Sequence, residues 1–442
     1  MSNTEALKLP AVAQEGLGRD FYLIWLGQAI SMLGSQLTGF AFAVWTAKAM
    51  QDYTLYILVA TLPALLLLPW TGGLADRYNR KMILVCCEVA AMLSMAILAV
   101  LAYLQALEMW HIYIIQAVLS ASIAFQGPAA KAAIVSIVPK SQLGRAGGMW
   151  GLTSALTQFG GPFMASGLLV AIGMRGIVIV DMVSYAFALL GLCVATIPAI
   201  VRLAPTEETS EPRRKHPFGD LMWSIDFLRA RPAMALTYAY TTVGGFLSNM
   251  VLFLAVPTVI ASYSQAALPW VTAAGAVGML LSGLLLVVWG GPKKWTPLLL
   301  GFSLLAGLAI MTAGAWRSIY VLCACALVVM LCTEALSACM QSVWQRKVPQ
   351  GAQGRFAAFQ QIVAMALLPL SAVVASTLYA VAGPAMQAGG ALEAAGRLFG
   401  TDPAGRYAAL FCVAGFAGVV VSVLALAHRR LYRLEAEVAD AF

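Results

Sequence analysis

Long apolar runs alternate with short polar stretches along the whole chain. They lie near residues 22–46, 53–74, 82–104, 110–138, 147–171 and 177–200. After a polar interval they recur near 233–257, 270–289, 296–315, 319–343, 357–381 and 407–427. Each run has room for the roughly 20 residues that a helix needs to cross a bilayer. Inside lipid, a lone segment must satisfy its own backbone groups, which selects helices. A membrane β-barrel would instead show alternating segments of about ten residues. The pattern predicts an all-α polytopic membrane protein with twelve transmembrane helices in two six-helix bundles, over residues 1–200 and 232–442. The repeat is one of topology, since the halves share no sequence likeness visible by eye.

The interval 201–231 reads as a cytoplasmic linker carrying Glu207, Glu208, Glu211, Arg213, Arg214 and Lys215. Within it, Leu221, Met222, Ile225 and Leu228 recur at helical spacing, which predicts an interfacial helix on the inner leaflet. The only long external loop is expected near 382–406, with Glu393, Arg397, Asp402 and Arg406. At the N-terminus, Glu5 and Glu15 dilute any basic region, and the first run is longer than a signal core, so a retained first helix is expected.

Composition agrees with this reading. Of 442 residues, 61% are hydrophobic and 10% charged, against roughly 45–50% and about 25% in soluble domains. The net charge of +8 comes from short basic clusters between the runs, so no nucleic-acid stripe exists. Of 27 Lys and Arg, only Lys48, Arg175, Arg317, Arg397 and Arg406 fall in segments assigned outside. The positive-inside rule then places both termini in the cytoplasm of a bacterial-type inner membrane. The eight cysteines all lie in apolar runs without a metal-ligand spacing. His111, His216 and His428 complete no catalytic constellation, and there is no Walker A pattern. An enzyme, a metal site and a bound cofactor are therefore not expected; the energy source would be a proton gradient.

The most specific motif joins the second and third runs: Gly72-Gly73-Leu74-Ala75-Asp76-Arg77-Tyr78-Asn79-Arg80-Lys81. It resembles the loop G-x-L-A-D-R-x-G-R-K of the major facilitator superfamily, with Asn79 replacing the second glycine. Asparagine tolerates a left-handed backbone, so a tight turn is expected there. Asp76 suits a facing helix N-terminus, and Arg77, Arg80 and Lys81 suit anionic headgroups. The resemblance implies a latch between halves, made by Gly72, Gly73, Asp76, Arg77, Arg80 and Lys81. Leu26 to Gly34, Pro128 to Gly148 and Trp344 to Phe356 look like the macrolide-efflux and siderophore-exporter branch. The fifth run, with Gly148, Thr157, Gly161, Pro162, Ala165 and Ser166, resembles the antiporter motif G-x8-G-x3-G-P-x2-G-G. That resemblance implies export against protons. Against it, the fourth-run arginine of related antiporters is Ile123 here.

A carboxylate at the bilayer centre costs roughly 2.5–3.5 kcal/mol on insertion scales. Three such residues are candidates for proton coupling: Glu334, Asp181 and Glu88. Glu334 is expected to face the central cavity and to exchange a proton for a cationic substrate group. Asp181 is expected near the outer end of its helix, wetted from outside, and Glu88 is expected to pair with Lys131. Gln28, Gln36, Gln116, Gln158, Asn249, Gln341 and Gln361 are candidate cavity residues, whereas Gly27, Ser31, Gly34 and Thr38 read as a packing stripe. The apolar, methionine-rich remainder suits a bulky amphipathic substrate. The reading is a monomeric, lipid-embedded secondary exporter of an amphipathic natural product, drug or siderophore. A lipid or lysolipid translocator is the alternative, and a non-transporting membrane sensor is the alternative from another class.

Overall fold

The computed structural model describes residues 17–77, 79–139, 142, 146, 149–150, 153–154, 156–196, 219–289, 295–349 and 352–428. Among them the first half forms α1 (Arg19–Thr46), α2 (Met50–Arg77), α3 (Arg80–Tyr103), α4 (Met109–Ile137), α5 (Gly161–Ala171) and α6 (Gly173–Val194). A short helix, α7 (Gly219–Arg229), precedes the second half. That half comprises α8 (Pro232–Ser262), α9 (Leu268–Trp289), α10 (Trp295–Ala315), α11 (Ile319–Lys347), α12 (Gln353–Ala385), α13 (Glu393–Phe399) and α14 (Pro403–Ala427). The molecule is an all-α, multi-pass membrane protein.

Ten of these helices are both long and apolar enough to cross a membrane. At 28 residues, α1 reaches ~42 Å, which is ample length. Gln28, Ser31, Ser35, Gln36 and Thr38 keep it below the apolarity of the others. The fifth run enters α5 through a π turn at Leu156–Gly160, just before Gly161 and Pro162. Such turns insert one surplus residue and bend the helix. Gly148 and much of the segment before the π turn lie outside the described residues.

Small residues set how closely the helices of a bundle approach. A Cβ at Gly191 of α6 would sit 2.7 Å from the Leu23 carbonyl oxygen of α1, and one at Gly27 would sit 3.1 Å from Ala188 Cα. The second bundle uses the same device where α10 meets α14, with Gly415 against Met311. Association in lipid relies on this kind of backbone contact, because apolar side chains gain little by leaving lipid tails.

The halves meet through α2 with α12 and through α5 with α9. Phe42, Tyr53, Tyr56 and Met95 of the first half share one buried cluster with Met250, Phe253, Leu254, Tyr407 and Phe411 of the second. Tyr53 and Phe253 stack across the divide with ring centroids 4.6 Å apart. Ser166 of α5 and Thr272 of α9 share a hydrogen bond of 3.0 Å. The late turns of α1 and the second and third turns of α14 enter this seal, so Leu17 and Ala427 lie at the other end of the molecule. At that other end, the buried clusters among the described residues each belong to a single half.

The expected interfacial helix exists as α7, but part of its apolar surface faces protein rather than lipid. Phe227 and Leu228 are buried against the second bundle, and Phe227 packs edge-on to Phe356. Met222 remains exposed. The rest of the linker, 201–218, lies outside the described residues. The stretch 382–406 is not simply a loop, since it contains α13. Glu393 accepts from Gly389 N at 3.0 Å and pairs with Arg397 at 2.6 Å, contacts that hold its carboxyl below the usual range. Arg317 donates to the Phe399 carbonyl and to Asp402, tying the α10–α11 connection to this cap.

Two substitutions test these contacts. Gly191→Val should lower stability by about 1–3 kcal/mol through overpacking, read as a fall in the melting temperature of the purified protein. Phe253→Ala removes an aromatic pair worth about 0.5–1.5 kcal/mol. It should raise the population open at the sealed end by roughly two- to tenfold, seen as longer distances between spin labels at Lys48 and Gln265.

Candidate functional site: a buried acidic seam in the first bundle

Gln28, Ser31, Ser35 and Thr38 recur every three or four residues and so share one face of α1. That face is turned inward, and two carboxyl groups lie along it. Glu88, in the third turn of α3, is completely buried. It accepts hydrogen bonds from Gln28 Nε2 at 2.7 Å, from Gln126 Nε2 at 2.6 Å and from Ser31 Oγ at 3.2 Å. All three partners are neutral. With its amides turned, such a cage also suits a protonated acid, which donates to an amide oxygen.

Asp181 of α6 is also completely buried. Ser184 Oγ donates to its Oδ1 at 3.2 Å and to its backbone carbonyl at 2.7 Å. Among the described residues its Oδ2 and the buried Thr38 Oγ1 make no hydrogen bond of standard geometry, although Thr38 is a polar neighbour of Asp181. A Cβ at Gly34 would approach Asp181 Oδ1 to 2.6 Å, so only glycine lets α1 close over this carboxyl. Between the two acids the polar contacts are nearly continuous. Ser35 Oγ donates to the Ser31 carbonyl at 2.9 Å, and the Tyr185 hydroxyl, one turn after Asp181, lies 2.8 Å from Ser35 Oγ.

Several expectations change here. Asp181 is sealed among helices rather than wetted from outside, because α1 covers it. Glu88 is held by amides and a hydroxyl; the side chain of Lys131 lies outside the described residues. Gln28 belongs to the Glu88 cage and not to a cavity wall. Ser31 does more than pack, while Gly27 and Gly34 do set the helix spacing. Glu334 lies on α11, half-buried, away from the seam and without a hydrogen bond among the described residues. Gln36, Gln158, Gln341 and Gln361 are exposed, and Gln116 is buried. Gln36 packs where Gly161 begins α5. Asn249 lines a cavity of about 340 Å³ in the second bundle.

Of the loop motif, Gly72, Gly73, Asp76 and Arg77 continue α2 as helical backbone, and their side chains lie outside the described residues. Asn79 does not form a left-handed turn. Its backbone is extended (φ −62°, ψ 115°), and its side chain caps α3 by accepting from Lys81 N at 3.0 Å. Asparagine is among the strongest N-caps, which explains its presence where glycine was the pattern. Lys81 Nζ reaches the carbonyls of Ala195 at 2.8 Å and Cys193 at 3.3 Å, at the C-terminal end of α6. A cation is favoured at that end of a helix, so Lys81 binds protein where headgroups were expected. Ile123, the position of the missing arginine, is exposed.

Residues 24–372 match the family model of the Major Facilitator Superfamily, and the chain belongs to that family. Macrolide efflux protein A of Streptococcus pyogenes is 22% identical over 81% of this chain and 89% of its own length. The uncharacterized MFS-type transporter YfiS of Bacillus subtilis is 26% identical over 65% and 68%. A bacterial homolog of the human lysosomal transporter Spinster, crystallised inward-facing and unoccupied, superposes with a TM-score of 0.68 at 16% identity. The match covers 94% of this chain and 98% of that one. The protein is thus a membrane transporter rather than an enzyme.

Sequence reading missed Gln126, Ser35 and Tyr185. The 28, 31, 35, 38 spacing on α1 was a usable signal for Ser35, whereas the other two belong to helices whose rotation only packing decides. Glu88→Ala should cost about 1–3 kcal/mol for each amide left without an acceptor. Glu88→Gln keeps the shape and should unfold closer to the parent temperature in the same thermal assay.

Proposed function

We propose that the protein is a proton-coupled exporter of an amphipathic drug, natural product or siderophore, working by alternating access across the inner membrane with both termini in the cytoplasm. The observation that carries this reading is the pair of fully buried carboxyls, Glu88 and Asp181, served among the described residues only by neutral groups and joined by the α1 seam. An ionisable group inside a membrane helix is a functional-site candidate by default, and proton relays are among its recurrent roles. The similarity to Macrolide efflux protein A supports the outward direction.

In this mechanism α1 is the transmitting part. Its middle turns hold the seam, and its last turns, with Phe42, enter the seal between halves. Protonation of Glu88 changes which cage atoms donate, and the adjustment of α1 biases the seal. Deprotonation toward the cytoplasm resets it. Gly72, Gly73, Asp76, Arg77, Arg80 and Lys81 form the latch at the cytoplasmic end, and Glu334 is a further protonation point in the second half. The working unit is a monomer in contact with lipid, and no cofactor takes part.

The test is transport into inverted membrane vesicles with an imposed proton gradient, using cationic dyes, a macrolide and hydroxamate or catecholate siderophores. Gradient-dependent accumulation is expected. It should fall at least roughly tenfold, equivalent to about 1.4 kcal/mol, in Glu88→Gln and Asp181→Asn at normal expression. Undiminished coupling in both variants would remove the seam from the mechanism. Well-folded protein that accumulates no compound would turn attention to lipid or lysolipid translocation.

A further inference from the structure

A threonine inside a helix can give its hydroxyl proton to the carbonyl one turn back. Among the buried threonines, Thr46, Thr153, Thr157, Thr237 and Thr258 all do so. Thr38, only 1% exposed, does not, and its Oγ1 is left without a hydrogen bond beside Asp181. The carboxyl it neighbours is equally short of partners. Ser184 donates to Asp181 Oδ1, Oδ2 receives nothing, and no cation pairs with either oxygen among the described residues. The titratable groups facing Asp181 are Glu88 on α3 and Tyr185 on α6 itself. The other helices packed on α6 add none, since α1 has no titratable residue between Leu23 and Thr46 and α5 has none at all.

Two adjacent buried oxygens are costly unless a hydrogen joins them. Either form of the acid can close the gap, but not equally well. Ionised, Asp181 would accept from Thr38 and Ser184 and remain a buried charge with two hydroxyls and no cation. Protonated, it donates through Oδ2 to Thr38 Oγ1 and frees the threonine's own hydrogen for the Gly34 carbonyl, the bond the other buried threonines make. Every group is then paired and no charge remains. A larger cation has little room to replace the proton, because a Cβ at Gly34 would already come within 2.6 Å of Asp181 Oδ1. Glu88 differs, since its three partners can serve either form. The Asp181–Thr38 pair also lies against the contact between halves. Leu37, next to Thr38, and Ala41 share a buried cluster with Val259, Leu268 and Leu322 of the second half. Val178 and Tyr185, one turn before and after Asp181, belong to the cluster that holds Phe253 and Phe411.

We infer that Asp181, protonated and hydrogen-bonded to Thr38, holds the sealed end of the transporter shut, and that ionisation of Asp181 opens that end. The inference rests on the proton-coupled reading above and gives Thr38 a place in it as a positioning residue. The seal closes over a neutral acid, because a carboxylate at this depth draws in water and the helices part to admit it. With the sealed end facing outside, a proton arriving from outside closes the entrance behind it and leaves toward the cytoplasm. One proton on one carboxyl thus decides which side of the membrane the transporter faces.

The experiment measures the distance between spin labels at Lys48 and Gln265, which lie on different halves at the sealed end, in purified full-length protein as the pH is varied. Labels carried on ketone-bearing residues leave the native cysteines untouched. Raising the pH from about 5 to about 9 should increase the long-distance population about tenfold in the parent protein. Asp181→Asn, neutral at every pH and still able to donate to Thr38, should keep short distances throughout. Thr38→Val keeps the volume but loses the hydroxyl, and should raise the open population at low pH. Thr38→Ser should restore the parent profile, which a packing role alone would not allow. Distances in the parent that ignore pH would overturn the inference, as would a pH response that survives in well-folded Asp181→Asn. If Thr38→Val fails to fold, the Asp181→Asn arm decides. Vesicle transport separates this switch from the export reading. A seal gated by Asp181 in a protein that accumulates no compound would count against proton-coupled export and leave the switch standing. Gradient-driven accumulation with a seal indifferent to Asp181 would do the reverse.

Discussion

The approach of α1 to α6 is the constraint on which the first bundle depends. Three glycines, at 27, 34 and 191, bring the two backbones closer than side chains would allow. That closeness puts the polar face of α1 over Asp181 and into reach of Glu88 and Tyr185. Push the helices apart by one methyl and water or lipid enters a seam whose hydrogen bonds are short and few. The small residues are therefore electrostatic as much as steric, since they decide which dielectric the acids experience.

Two kinds of contact hold the halves together at the sealed end, and they differ in what they resist. The Tyr53–Phe253 stack and the apolar cluster around it oppose separation with little directional preference. The Ser166–Thr272 hydrogen bond is directional and sits just beyond the π turn of the fifth segment. A seal of this composition is firm but contains no buried ion pair among its described residues. It can part without leaving a naked charge in the bilayer, which suits a joint that opens in every cycle.

Much of the helix pattern was legible because the bilayer imposes length and apolarity on every span. The ends of α1, α3, α10 and α11 fall within a few residues of the runs that announced them. Depth along a helix was readable too, and it singled out Glu88 and Asp181. Rotation about the axis was not. Asp181 was placed near an outer mouth because distance along a helix does not say which neighbour covers it. The Glu88 partners come from positions 60, 57 and 38 residues away, and no local pattern encodes such a meeting. Asn79 failed for a different reason. The family pattern suggested a glycine-like backbone, whereas the residue serves through its side chain as a cap.

The two sides of α1 live under opposite rules. Leu26 and Ile30 are exposed, where one apolar residue serves as well as another. Gly27, Gly34 and the polar positions between them face a space already full. Across generations, such a helix should drift freely along its open edge and stand still along the other, so that its inheritance records where the seam begins.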